Sequence, residues 1–562
     1  MASIHQIKVS NFRGIKALDF TFVKSKFVCL VGRGDSCKST ILEALSYVLY
    51  PNWNLSVSDN DFYECNPSNA IEIEVTLRDL PEELLKDTKY GLYIRGIEQG
   101  GVNVINTLTD ECEKALTVKL VIDQELEPKW YVISYRDGQD PIEIKHTDRA
   151  LLNVYLLSDY LDRHFYYSKG SPLYQLSKNE GAGIDGNVLI NAMRTLKEDV
   201  GKISGFERVI ERVKTSALKF GVNVSGTTAG LDSRDISVKD SRIALHDAQT
   251  PFRQKGKGSR RLISIAIQSE LANESIVLID EIEQGLEPDR VKHLVRTVMS
   301  NGHNQVFCTT HSAQVIEELE PDNIFVVNNH DGVIEISHGF AKGTEHQRLM
   351  RLCPDSLYAT NVILCEGKTE IGFCRAFEVY RKSKGFDSLA SKGVVYSLGG
   401  GDGFNKLAKM LKTDFGKKVC IFCDSDKNSE IADPTKVELI KLGVNIFDWK
   451  EGNSFEKQLS EDLPWKGILE LIAYVLNEKC CTYGPEQFIR ETTGLDWKQD
   501  DTPQNREIFY LAATKKDKSW YKRIDHGEYI GNICFKYYDE ISDTSNLKMV
   551  IEGLNKWVED AS

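Results

Sequence analysis

No apolar run in this chain approaches the ~18 residues that a membrane-crossing helix needs. The first residues, Met1-Ala2-Ser3-Ile4-His5-Gln6, lack the basic and apolar regions of a signal peptide. A cytoplasmic protein with no membrane partner is the default expectation. Positive charge is not in excess either: 70 Lys and Arg stand against 83 Asp and Glu, a net charge of −13. That excludes a basic coat for nucleic acid. It does not exclude a local basic groove, because a polyanion responds to the nearby field. Cysteines paired at zinc spacing are missing. Most of the 13 cysteines sit inside apolar runs, such as Cys29, Cys308 and Cys365, and the C-x-x-C of Cys420 and Cys423 has no second pair. Reduced core thiols are expected. Sustained heptads are also absent between about 150 and 245, which argues against a long coiled coil there.

What is present is 562 residues, 41% hydrophobic and 27% charged. That composition is soluble globular, and the length implies two or three domains. The opening apolar positions, Ile4, Ile7, Val9 and Phe12, then Leu18, Phe20 and Phe22, predict two strands joined by a turn at Arg13-Gly14. A buried strand, Phe27-Val28-Cys29-Leu30-Val31, then meets Gly32-Arg33-Gly34-Asp35-Ser36-Cys37-Lys38-Ser39-Thr40 and a helical run from Ile41. Strand, phosphate loop and helix form the context of a P-loop. Its N–H groups and helix N-terminus bind phosphate oxygens, Lys38 neutralises the β- and γ-phosphates, and Ser39 ligates Mg²⁺. Cys37 stands where a second glycine is usual for backbone freedom. Cysteine is small, so ATP binding is expected to survive and hydrolysis to be slow.

A second nucleotide element is the strand Ile276-Val277-Leu278-Ile279, ending in Asp280-Glu281. Asp280 can hold the Mg²⁺ and Glu281 can orient the attacking water. Another strand, Gln305-Val306-Phe307-Cys308, runs into Thr309-Thr310-His311, with His311 at the place of a γ-phosphate sensor. These residues resemble the ABC-type ATPase heads of the SMC and RecF group. That likeness implies two heads sandwiching ATP, with a signature loop acting across the dimer. Gly256-Lys257-Gly258-Ser259-Arg260-Arg261-Leu262 is the candidate loop, with Gly256 where the family has serine. Val188–Leu196 and Val209–Val213 predict a helical insertion, either a dimer contact or a plain structural elaboration.

In the second half, Val362-Ile363-Leu364-Cys365 ends at Glu366, Val394–Leu398 ends in a glycine turn, and Val419–Cys423 ends at Asp424-Ser425-Asp426. Helical runs alternate with these strands, which predicts a parallel sheet. Functional residues of such sheets gather beyond the strands' carboxyl ends. That brings Glu366, Asp424 and Asp426 together, and carboxylates without His or Cys suit Mg²⁺ or Mn²⁺. Lys515–Arg523 mixes basic and aromatic residues, which suits phosphate contact and base stacking or, equally, a solvated face.

The second-half motifs resemble the Toprim domain, and an ABC-type head followed by Toprim resembles the OLD (overcoming lysogenization defect) family of ATP-dependent endonucleases. The resemblance implies metal ligation by Glu366 and Glu370 of E-G-x-x-E, Asp402 after the glycine turn, Asp424 and Asp426 of D-x-D, and Glu456 at a later helix start. It also implies that Lys522 supports phosphodiester chemistry. The expected fold is α/β: residues 1–150 and 246–353 form an ABC-type ATPase split by a helical insertion at 151–245, 354–460 form a Toprim parallel-sheet domain, and 461–562 are mostly helical. The leading functional expectation is an ATP-regulated, metal-dependent DNA endonuclease, a homodimer or larger homo-oligomer. By resemblance it acts in bacterial defence against phage, with a companion protein or a retron reverse transcriptase and its RNA/DNA. The alternative is a nucleotide-dependent sensor or scaffold whose Toprim binds without cutting. Primase or topoisomerase activity finds no support, for want of a zinc ribbon or a distinguishable tyrosine nucleophile.

Overall fold

The computed structural model describes residues 2–157, 164–167, 171–179, 205–231, 243–271, 276–300, 305–338, 344–400, 403–425, 433–515 and 520–560. The chain divides into two compact units, Met1–Gly339 and Phe340–Ser562.

In the first unit one wide sheet has two characters. Its parallel half runs in the order Val154–Leu157, Ile276–Ile279, Gln305–Thr309, Phe27–Val31 and Ile324–His330. Every residue of Phe27–Val31, Ile276–Ile279 and Gln305–Thr309 is buried. Short continuous apolar runs therefore become interior strands covered on both faces. Val333–Ser337 leads into the other half, where Ile15–Thr21, Ser3–Phe12, Ile71–Arg78 and Glu113–Ile122 pair antiparallel. Helix Lys38–Val48 packs on this sheet through Ile41, Leu42, Ala44, Leu45 and Val48, all fully buried. Each larger apolar side chain contributes about 1.5–3 kcal/mol on leaving water.

The segment 151–245 is not simply helical. Val154–Leu157 is a strand of the wide sheet, parallel to Ile276–Ile279. Thr227–Leu231, Ile243–Asp247, Tyr166–Tyr167 and Thr250–Pro251 build a small antiparallel sheet. Helices Pro172–Asn179 and Phe206–Lys219 are present, the latter containing Val209–Val213. Four or five apolar residues fit a strand or a helix equally well, and here pairing partners distant in sequence decide. Val188–Leu196 lies outside the described residues.

The second unit holds four parallel strands in the order Val394–Leu398, Asn361–Cys365, Lys418–Cys423 and Asn445–Asp448. It begins earlier than expected. Helix Thr344–Leu352 packs within it, burying Leu349 and Met350, while His346 Nε2 sits 2.9 Å from Asp414 Oδ2. After the sheet come helices Phe455–Asp462, Trp465–Glu478, Pro485–Thr493, Pro503–Ala513, Ile524–Lys536 and Asn546–Glu559. They share one core with the strands: Ile363 and Phe422 belong to the same cluster as Leu471, Phe509, Ile530 and Leu554. Helix Lys368–Ser383 meets Ile524–Lys536 at backbone distance. A Cβ on Gly372 would lie 2.0 Å from the Ile524 carbonyl oxygen, and one on Gly527 would lie 2.0 Å from that of Thr369. Only glycine permits this approach. Among the described residues no helix is long and apolar enough to cross a membrane.

Candidate functional site

The candidate nucleotide site lies where the parallel strands end. Gly32 admits no side chain, because a Cβ there would lie 2.4 Å from the Val327 carbonyl oxygen. Arg33, Gly34 and Asp35 are exposed, and Ser39 and Thr40 open the helix that follows. Lys38 Nζ donates to the carbonyls of Gly32 (2.9 Å) and Arg33 (2.8 Å) and to Ser36 Oγ (3.2 Å). Burial pushes the Lys38 ammonium down to about 8, with Asp280 and Asp35 opposing. Cys37 adopts φ 66° and ψ 21°, the left-handed region that the glycine of a P-loop supplies without strain. Its sulfur packs into the space left by Gly14, where a Cβ would lie 2.7 Å from Sγ.

Strand Gln305–Thr309 lies between the P-loop strand and Ile276–Ile279, and joins their ends. Asp280 Oδ1 accepts from both Ser39 Oγ (2.8 Å) and Thr309 Oγ1 (2.7 Å). The Glu281 N–H donates to Thr309 Oγ1 (2.7 Å), and Glu281 itself is held at φ 46°. His311 is exposed, and partial burial followed by the charge of Lys38 lowers its imidazole below the ordinary value. Two braces belong to no sequence motif. Glu283 accepts from Thr310 Oγ1 (2.7 Å) and the His311 N–H (2.6 Å). Arg261, fully buried, donates through Nη2 to the carbonyls of Asp280 and Glu281. Its only sequence signal is an arginine beside the buried face Leu262, Ile263 and Ala266. Gly256 immediately precedes helix Lys257–Leu271, and a Cβ there would meet nothing within 4 Å, so no steric reason bars serine. Gly258 is the tight position, with a Cβ 2.4 Å from the Gly285 carbonyl oxygen.

In the second unit Glu366 follows strand Asn361–Cys365, and its Oε2 accepts from the Asp424 N–H at 2.9 Å, tying two strand ends together. Asp424 Oδ1 accepts from the Phe455 N–H (2.8 Å) at the start of helix Phe455–Asp462, where the helix dipole favours an anion. Glu370 is buried one turn after Glu366 and accepts from the Gly367 N–H (2.9 Å). Glu456 is also buried, with Ser454 Oγ at 3.0 Å and Lys522 Nζ at 3.3 Å. Burial and mutual repulsion push two carboxyls of this site up. Glu370 is raised by burial and by Glu366 and Glu456, and Asp424 by burial and by Glu370, Glu456 and Glu366. Against the lowering effect of its own desolvation, Lys522 is raised by Glu456, Asp424 and Glu370. Carboxylates are the donor type of a hard divalent cation, so these residues are of the kind that would hold one, but among the described residues no three of them bring ligand atoms within 4.8 Å of one another. Asp402 and Asp426 lie outside the described residues, as does 516–519.

The tightest acid–histidine group among the described residues lies elsewhere: Glu478, Asp525 and His526 bring one ligand atom each within 4.8 Å. Arg523 Nη2 already pairs with both carboxylates, so this group is an ion-pair network joining helices Trp465–Glu478 and Ile524–Lys536. The expectation of base-stacking aromatics fails at two positions. Trp520 and Tyr521 are buried in the core, at 3% and 0% exposure. They anchor the segment from which the exposed Lys522 projects.

Three family matches fall along the chain: an AAA ATPase domain over residues 3–180, an AAA domain named for the AbiEii toxin of a type IV TA system over 136–317, and an overcoming lysogenization defect protein-like TOPRIM domain over 357–426. The chain is also similar to an ATP/GTP phosphatase of Helicobacter pylori, 22% identical over 344 residues, covering 56% of this chain and 87% of that protein. Among solved structures, an SMC head bound to the C-winged helix domain of ScpA is 16% identical over 59% of this chain and 96% of its own, with a TM-score of 0.38. An SMC head domain from Thermotoga maritima is 13% identical over 60% and 98%, with a TM-score of 0.30.

Proposed function

We propose that this chain, an ATPase–TOPRIM fusion of the overcoming-lysogenization-defect type, is a nucleotide-governed, metal-dependent DNA endonuclease. The observation that carries the reading is the convergence of Glu366, Glu370, Asp424 and Glu456 beyond the strand ends, with Lys522 at 3.3 Å from Glu456. With Asp402 and Asp426, assigned from their motifs, they hold Mg²⁺ or Mn²⁺. When bound, such a cation supplies charge neutralisation at the phosphate and a more acidic water. Lys522 keeps its proton and sets a positive charge beside the scissile phosphate. In the ATPase, Lys38 pairs with the β- and γ-phosphates, Ser39 and Asp280 hold Mg²⁺, Glu281 orients water and His311 meets the γ-phosphate.

Cleavage of supercoiled plasmid, with Mg²⁺ or Mn²⁺ and with or without ATP, tests the reading. The native protein should nick or linearise the plasmid, and Asp424→Ala should not. An Asp424→Ala protein that cuts at the native rate defeats the assignment. By family resemblance the proposal extends to a homodimer that acts against phage alongside a companion protein or reverse transcriptase. Phage plating on cells carrying native or Asp424→Ala protein checks that extension.

A further inference from the structure

We propose that Thr369 is a positioning residue for Lys522: its hydroxyl holds the Tyr521 carbonyl and so sets the lysine ammonium beside Glu456. The proposal rests on the nuclease reading, and it assigns a role to a residue between the motif's two glutamates that ligates nothing.

Lys522 is exposed and on a long flexible stem, so its placement depends on the backbone beneath it. That backbone is fastened on both sides. Upstream, the Trp520 N–H donates to the Ala513 carbonyl at 3.0 Å. The fully buried Tyr521 donates its phenol to the Leu471 carbonyl at 3.2 Å. Downstream, Arg523 Nη2 pairs with Glu478 Oε1 at 3.0 Å. The link to the helix that carries Glu370 runs through a hydroxyl: Thr369 Oγ1 donates to the Tyr521 carbonyl at 2.6 Å, inside the protein. Helix formation does not call for a hydroxyl there. Glu370 accepts from the Gly367 N–H at the helix start, and the Thr369 hydroxyl points away to another segment. Thr369 therefore joins two halves of one site. Its own helix carries Glu370, and its hydroxyl fixes the residue before Lys522. The backbone approach of Gly527 to the Thr369 carbonyl fixes helix Ile524–Lys536, which begins two residues after Lys522, against the same helix start, so the segment that carries Lys522 is held next to a rigid contact.

Thr369→Val keeps the shape and removes the donor, leaving the buried Tyr521 carbonyl unpaired. The expected result is a roughly tenfold fall in plasmid cleavage kcat, of the order of one lost hydrogen bond in the transition state. KM for DNA and ATP hydrolysis stay at native values, and Thr369→Ser restores cleavage. In the Lys522→Ala background, Thr369→Val should slow cleavage no further. Equal cutting by Thr369→Val and native protein, multiplicative losses in the double variant, or failure of serine to rescue would each overturn the proposal. A second measurement does not need nuclease activity: competitive acetylation of Lys522 relative to exposed Lys515, read by mass spectrometry on the full-length protein. Lys522 should label at least about threefold faster in Thr369→Val, because it is released from Glu456, and an unchanged ratio overturns the placement. If Asp424→Ala cuts at the native rate, the nuclease reading fails, while the labelling ratio still decides whether Thr369 places Lys522.

Discussion

Replacing Gly14 with alanine should destabilise the first unit, and Cys37→Gly should erase that penalty. Cys37 occupies φ 66°, ψ 21°, a conformation that costs an ordinary L-residue roughly 1–2 kcal/mol relative to glycine. Its sulfur is 2.7 Å from where the alanine Cβ would be, well inside the roughly 3.5–4 Å of relaxed contact. The sulfur also accepts from Asn329 Nδ2 at 3.5 Å, and the same nitrogen reaches the Asp35 carbonyl at 3.2 Å, so it cannot swing away without disturbing the phosphate loop. Gly14→Ala alone should therefore cost about 1–2 kcal/mol, in the range for overpacking. In the Cys37→Gly background the same change should stabilise by about 0.5 kcal/mol, because alanine reduces unfolded-chain entropy and now has room. The coupling is then about 1.5–2.5 kcal/mol, far above the roughly 0.3–0.5 kcal/mol scatter of independent sites. Cys37→Ala isolates the backbone contribution: it keeps the left-handed Cβ, so Cys37→Gly should be about 1 kcal/mol more stable than Cys37→Ala. Calorimetry of the transition that shifts with added ATP reads all five proteins. Additive effects of Gly14→Ala and Cys37→Gly would refute the steric argument, and equal stability of Cys37→Gly and Cys37→Ala would refute the strain.

Lys417 is 3% exposed, its ammonium pushed down to about 8 by burial, with the Leu357 carbonyl at 3.2 Å as its partner. Each tenfold loss of proton affinity corresponds to about 1.36 kcal/mol, and the hydrogen bond returns about 1 kcal/mol, so Lys417→Met should stabilise the second unit by about 2 kcal/mol at pH 7. Below pH 8 both folded and unfolded chains carry the proton and the penalty is full; between 8 and 10.5 the folded chain releases it first, so the variant's advantage in Tm should shrink to nothing across that window. Gly527→Ala places a Cβ 2.0 Å from the Thr369 carbonyl oxygen, so the two helices must part; unfolding should show a loss of about 1–3 kcal/mol, and DNA cleavage should fall with it. Asp424→Asn removes a buried charge raised by burial and by Glu370, Glu456 and Glu366; its Tm without metal should exceed that of native protein by the equivalent of about 0.5–2 kcal/mol, while Mg²⁺ should raise the Tm of native protein only.

The P-loop, the Asp280-Glu281 strand end and the two carboxylate strand ends were legible because each is local. An apolar run ends, and the candidate residue comes next. The parallel character of the second unit's sheet followed from its alternation of strands and helices. What was not legible depends on packing across distance. Val154–Leu157 reads as a piece of helix until Ile276–Ile279 lies beside it. Trp520 and Tyr521 read as stacking platforms in a basic run until the core around Leu471 and Phe509 takes them in. Arg261 and Glu283 have no motif, because their work is to hold carbonyls and N–H groups that only the fold brings near. The small-residue positions of helix Ile524–Lys536 likewise have meaning only against Lys368–Ser383.

The two sites store unfavourable energy in different forms, and this explains why each should be stabilised by what it binds. Around the nucleotide site the cost is conformational: Asp35, Cys37 and Glu281 all sit at φ between 46° and 66°, where side chains with a Cβ are strained. In the carboxylate site the cost is electrostatic, since burial and neighbouring acids raise both Glu370 and Asp424. A phosphate chain accepting the loop's N–H groups fixes a conformation that the loop already holds at a cost. A divalent cation held there would convert mutual repulsion into shared attraction. Arg261, Glu283 and Thr309 hold the first arrangement in place, and the Phe455 N–H and Lys522 hold the second. Truncating a brace should therefore weaken ligand binding more than it weakens the fold, whereas relieving the strain or the repulsion, as in Cys37→Gly or Asp424→Asn, should stabilise the fold.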